Sequence, residues 1–94
     1  MSTDSNYKLT GRMDGTNADN YDLEISALLS TAGQSFSIDL SELTYISSLG
    51  LRVFLKAAKT LKQQNKKLIL SKPSQEILDI LLLSGFDQII EIER

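Results

Sequence analysis

No cysteine and no histidine occurs in these 94 residues. Their absence removes a disulfide framework, a thiolate nucleophile, a histidine general base and the ligands on which zinc and haem sites are built. The carboxylates that remain are spread along the chain without the dense spacing of a calcium loop, so neither a metal nor a cofactor is expected. Basic excess is missing too: 10 Lys and Arg stand against 12 Asp and Glu, for a formal charge of −2. Nucleic-acid binding depends on clustered cations that neutralise phosphate, and this balance argues against it. No apolar run approaches a membrane span. The polar start Met1 to Asn6 lacks the basic-then-apolar layout of a signal peptide. The expectation is a soluble, cytoplasmic protein with no nucleic-acid or membrane partner.

What is present suffices for one core. With 41% apolar residues, the chain reads as a single domain, 1–94, too small for two. Tyr7 to Arg12 alternate like a half-exposed strand, and Met13-Asp14-Gly15-Thr16-Asn17 is rich in turn formers. Thr16 with Asp19 resembles a capping box for a helix from about Ala18 to Thr31, closed by Gly33, with Tyr21, Ile25, Leu28 and Leu29 buried. Phe36, Ile38 and Leu40 form a compact strand, and Ser41 to Tyr45 lead onward. From Leu51 the apolar residues Leu51, Phe54, Leu55, Ala58 and Leu61 fall at helical spacing, with Arg52, Lys56, Lys59 and Lys62 on the other side. These lysines, with Lys66 and Lys67, read as a solvated helix face. The helix stops near Asn65. Residues 67–70 give a third strand, Pro73 and Ser74 open a helix over Gln75 to Ser84, Gly85 ends it, and Ile89, Ile90 and Ile92 make a short terminal strand. Alternating strands and helices predict an α/β domain with a small, mostly parallel sheet and right-handed crossovers.

Between the second strand and the second helix stands Tyr45-Ile46-Ser47-Ser48-Leu49-Gly50. Both serines fall at a helix N-terminus, where unpaired amides and the helix dipole stabilise an oxygen lone pair or a phosphoryl group. Serine is a common N-cap, worth about 1 kcal/mol. One cap occupies one side chain, however, and leaves the neighbouring hydroxyl free to face solvent or a partner. Gly50 in the first helical turn costs roughly 0.8 to 1 kcal/mol relative to alanine if exposed, so a close backbone approach is expected there. A second feature is the third helix, where Ile77, Leu78, Ile80, Leu81, Leu82 and Leu83 surround most of the circumference. The excess either packs inside the fold or covers a partner or a second protomer.

The order of elements and these motifs resemble the STAS domains of bacterial anti-sigma factor antagonists. The likeness runs through Gly11-Arg12-Met13-Asp14, Ile38-Asp39-Leu40, Tyr45 to Arg52, Lys67-Leu68-Ile69-Leu70 and Leu83-Ser84-Gly85-Phe86. That resemblance implies a small STAS-like α/β domain in which the extra leading strand of many relatives is short or missing. Antagonists commonly show Asp-Ser-Ser-Gly-Leu or Asp-Ser-Thr-Gly-Leu, with the serine after the aspartate phosphorylated. Aligned on Gly50-Leu51, Ser48 is the implied phosphoacceptor, with Ser47 as second choice; Ser47 stands where the family has aspartate, and Leu49 replaces the second hydroxyl residue.

The resemblance further implies a non-enzymatic partner switch controlling transcription. Unmodified protein would bind an anti-sigma factor serine kinase through Asp14, Ser47, Ser48, Leu49, Gly50 and Arg52. Phosphorylation would release it, and a metal-dependent serine phosphatase would restore it. Read on its own, Asp14 before Gly15 is a turn residue; Arg52 is equally a solubilising charge. The alternative is a constitutive, phosphorylation-independent STAS scaffold that uses the apolar third helix as a homodimer contact. A small-molecule sensor and an enzyme rank behind, because the sequence carries no Gly-rich phosphate loop and no oriented base.

Overall fold

The computed structural model describes residues 5–30 and 33–94. Four strands and three helices alternate: β1 (Ser5–Met13), α1 (Ala18–Leu29), β2 (Ser35–Ile46), α2 (Ser48–Gln63), β3 (Lys67–Ser71), α3 (Gln75–Leu83) and β4 (Glu91–Glu93), with a 3-10 turn at Phe86–Gln88 before β4. All neighbouring strands pair in parallel, in the order β1-β2-β3-β4. Because each crossover steps in the same direction and crossovers share one hand, the helices fall on one side of the sheet. Leu9, Phe36, Ile38, Leu40, Leu68 and Leu70 from the strands accordingly join Ile25, Phe54, Leu61, Ile77 and Leu81 from the helices in one buried cluster. Ser37, Asp39 and Ser71 line the opposite, polar face.

The helices close with local chemistry. At the end of α2, Asn65 takes φ 59°, and Asn65 and Lys66 donate back to the carbonyls of Lys62 and Leu61 at 3.0 and 2.8 Å, a left-handed cap that asparagine tolerates. Ser74 caps α3 by accepting from Ile77 N–H at 3.3 Å. Gly85, at φ 75°, ends α3 where a side chain would be strained.

Several expectations are corrected. Thr16 and Asp19 form no capping box: Asn17 is the N-cap residue of α1 and its side chain does not cap the helix. It turns backward instead, donating to Arg12 O at 2.7 Å and accepting from Asp14 N–H at 2.9 Å. Ser41 to Tyr45 are no lead-in, since β2 runs on to Ile46 with Leu43 and Ile46 buried. On α1, Ile25 and Leu29 are buried as expected, but Tyr21 is half-buried and Leu28 exposed. On α2 the buried set is Gly50, Val53, Phe54, Ala57 and Leu61; Leu51, Leu55 and Ala58 sit at the margin. The expected end of α1 at Thr31 lies outside the described residues, as does any strand within residues 1–4. The helix itself is capped at Ser30.

Candidate functional site

Two loops at the C-terminal ends of adjacent parallel strands meet at one end of the sheet. β1 delivers Asp14 to Asn17, and β2 delivers Ser47 to Gly50. The ladder pairs Met13 with Ile46, and Ser47 N–H then donates to Met13 O at 2.9 Å. Gly50 explains how tightly they fit: a Cβ there would lie 2.7 Å from Ile46 Cγ1 and 3.2 Å from Met13 O. Helix α2 can start against β1 only because residue 50 has no side chain. A Cβ on Gly15 would likewise meet Leu49 Cδ1 at 3.3 Å, so Leu49 lies against the first loop while remaining 44% exposed.

The two serines divide the roles expected of them. Ser47 is the N-cap, its Oγ accepting from Gly50 N–H at 3.3 Å. Ser48 is the first residue of α2 and is exposed. Its hydroxyl stands at the positive end of a 16-residue helix without being needed to hold that helix together.

Asp14 organises the neighbouring turn. Its Oδ1 accepts from Thr16 N–H at 2.9 Å and from Thr16 Oγ–H at 2.6 Å, and its Oδ2 lies 3.5 Å from Arg12 Nε. The Thr16 hydrogen bonds, with Arg12 adding a smaller push, hold its carboxyl below the usual range, so it is anionic at neutral pH. Thus Asp14 is a turn-forming residue and also a fixed charge beside the serine turn. Arg52 is exposed one helical turn beyond Ser48.

Arg12 and Tyr45 are site residues that the sequence reading passed over. They pair across β1 and β2, and the guanidinium lies 4.3 Å from the ring centroid, within cation–π range. Gly11, at φ 74°, and register shifts around Thr10 and Gly11 set this alignment. Simple alternation along each strand could not have revealed it, because a bulge changes which residues oppose each other. Together Asp14, Arg12, Tyr45, Ser48 and Leu49 make a mixed polar and apolar surface. The described residues contain no cluster of three or more metal-ligating side chains, and no helix among them is long and apolar enough to cross a membrane.

The chain is an all-parallel βα domain with an exposed serine at the start of α2. Residues 3–94 match the STAS domain family, and the chain belongs to the STAS-domain anti-sigma factor antagonist family. It is 33% identical over 84 residues to the anti-sigma factor antagonist BtrV of Bordetella bronchiseptica, covering 89% of this chain and 72% of that protein. A crystal structure of an anti-sigma factor antagonist from Thermotoga maritima superposes with TM-score 0.84 at 20% identity, covering 93% of this chain and 77% of that one. Unphosphorylated SpoIIAA superposes at 0.82 and 18% identity, covering 100% and 84%; phosphorylated SpoIIAA does so at 0.74 and 18% identity, covering 100% and 86%.

Proposed function

We propose that the protein is an anti-sigma factor antagonist whose binding is switched by phosphorylation of Ser48. The observation that carries this reading is the division of labour between the serines. Ser47 holds the helix cap and Ser48 is exposed beside it, so a kinase can modify Ser48 without unfolding the turn. The names of BtrV and SpoIIAA and the existence of SpoIIAA in two phosphorylation states support the same direction.

In the unmodified state, Asp14, Ser48, Leu49 and Arg52 around the serine turn form the contact surface for an anti-sigma factor serine kinase, and docking frees the sigma factor; Gly50, expected among the contacts, is buried against β1 and only shapes the turn. Phosphorylation adds about −1.5 to −2 charges. The helix N-terminus accommodates that charge locally, but burying it in a dry interface next to the carboxylate of Asp14 is costly. The complex therefore separates, and a metal-dependent phosphatase resets the hydroxyl. Catalysis belongs to the partners, in the cytoplasm, and this chain is their substrate and ligand. Where relatives carry an aspartate before the acceptor, Ser47 keeps the capping oxygen and drops one negative charge, which lowers the repulsion met by a phosphate at Ser48.

The test is intact-mass and phosphosite analysis of protein recovered from its native cells under growth and stress. The expected result is a condition-dependent phosphoryl group on Ser48, lost in Ser48→Ala and kept in Ser47→Ala. A mass that never changes overturns the switch and leaves a constitutive scaffold.

A further inference from the structure

Two surface features are not used by the switch. The first is a groove of about 400 Å³ beside α2, lined by apolar Leu55, Ala58, Leu68 and Ile89 and edged by Lys59, Lys62 and the Lys67–Glu91 ion pair. Neither Lys59 nor Lys62 has an ion-pair partner among the described residues. Ile89 is 57% exposed. The second feature is the outer stripe of α3. Glu76, Asp79 and Leu83 follow one another at helical spacing on the side opposite buried Ile77, Leu78 and Leu81. Leu83 is 89% exposed, and Leu82 beside it 38%.

Each feature has what the other lacks. The groove offers an apolar lining edged by cations, and the α3 stripe offers an apolar knob following two anions. From Glu76 to Leu83 the helix rises about 10 Å; Lys59 and Lys62 are a turn apart on α2, so carboxylates and ammonium groups are spaced to meet in pairs. Leu83 at the end of α3 and Ile89 in the groove are separated in sequence only by a short stretch that holds the Phe86–Gln88 turn. A two-fold axis near that turn lets two copies exchange the contact reciprocally, each seating its stripe in the other's groove, which gives a closed pair rather than an open chain.

We infer that a second copy of this chain is the occupant: the protein forms a two-fold dimer in which Leu83, flanked by Glu76 and Asp79, packs into the groove of Leu55, Ala58 and Ile89 under Lys59 and Lys62. None of these residues belongs to the serine turn, so variants at them leave Ser47 and Ser48 in place.

Sedimentation analysis of the whole purified chain across a concentration series, at low and high salt, tests this. The expected result is a reversible monomer–dimer equilibrium that weakens as salt rises. Leu83→Glu should raise the dissociation constant about tenfold or more, the equivalent of losing one buried leucine. The double variant Lys59→Glu with Lys62→Glu should weaken the dimer, and adding Glu76→Lys with Asp79→Lys should restore it. All these positions are on the surface, so circular dichroism should stay unchanged. A monomer at every concentration overturns the inference. So does a dimer indifferent to Leu83→Glu, a growing series of higher assemblies, or a charge reversal without rescue.

Discussion

Removing the Ser47 hydroxyl takes away the acceptor of Gly50 N–H, and Ser47→Ala should lower unfolding free energy by about 1 kcal/mol. Ser48→Ala, at an exposed side chain, should stay within roughly 0.5 kcal/mol; urea unfolding of both variants measures the difference. That one of the two serines caps the helix was legible in the sequence, because capping is local and needs only a serine and the helix that follows; which of them does so depends on the exact start of α2. The Arg12–Tyr45 pair was not legible, because it depends on a bulged register between strands separated by a helix. Tyr7 shows a third residue-level effect. It donates to Glu24 Oε1 at 3.0 Å, and burial first, then that carboxylate, push its phenol up to about 12. A raised phenol pKa favours the protonated form in the fold, so this contribution is complete below the unfolded value of about 10 and fades as pH rises through about 12. Ultraviolet difference titration should show one late-ionising tyrosine, absent in Tyr7→Phe.

At the scale of elements, the pattern located the three helices and four strands of the described residues, with the terminal strand confined to Glu91–Glu93 and Ile89 in the preceding turn, but it misjudged faces. On α2 the larger apolar residues Leu51 and Leu55 looked like the core stripe. Phe54 and Leu61 are buried as expected, but the close contact at Gly50 goes with Val53 and Ala57 facing the sheet, and Leu51 and Leu55 seal the margin. Size in the sequence does not report how closely two backbones approach. Helix α3 has the converse problem: composition shows leucine everywhere, and only packing separates Leu81, fully buried, from Leu83. Leu81→Ala should therefore cost about 2–5 kcal/mol, while Leu83→Ser should leave the stability of the monomer within roughly 0.5 kcal/mol. Thermal unfolding at dilute concentration, where self-association does not contribute, measures both.

For the whole molecule, the switch requires a body that does not change when its surface does. Under the proposed switch, Ser48→Asp should keep the circular dichroism spectrum of the unmodified protein and lose binding to the proposed anti-sigma factor kinase in a pull-down or calorimetric titration; binding that survives the substitution counts against the proposed expulsion. Alternation of elements foretold the parallel sheet, and the one-directional strand order confines the helices to one layer. That order also leaves two edges. β4 is only three residues long and bears Glu91 and Glu93; β1 is distorted by left-handed Gly11 and its register shifts. A foreign strand would find a short carboxylate-bearing ledge on one side and a misaligned row of amides on the other, so the sheet resists templated growth into fibrils even when the protein is abundant in the cell.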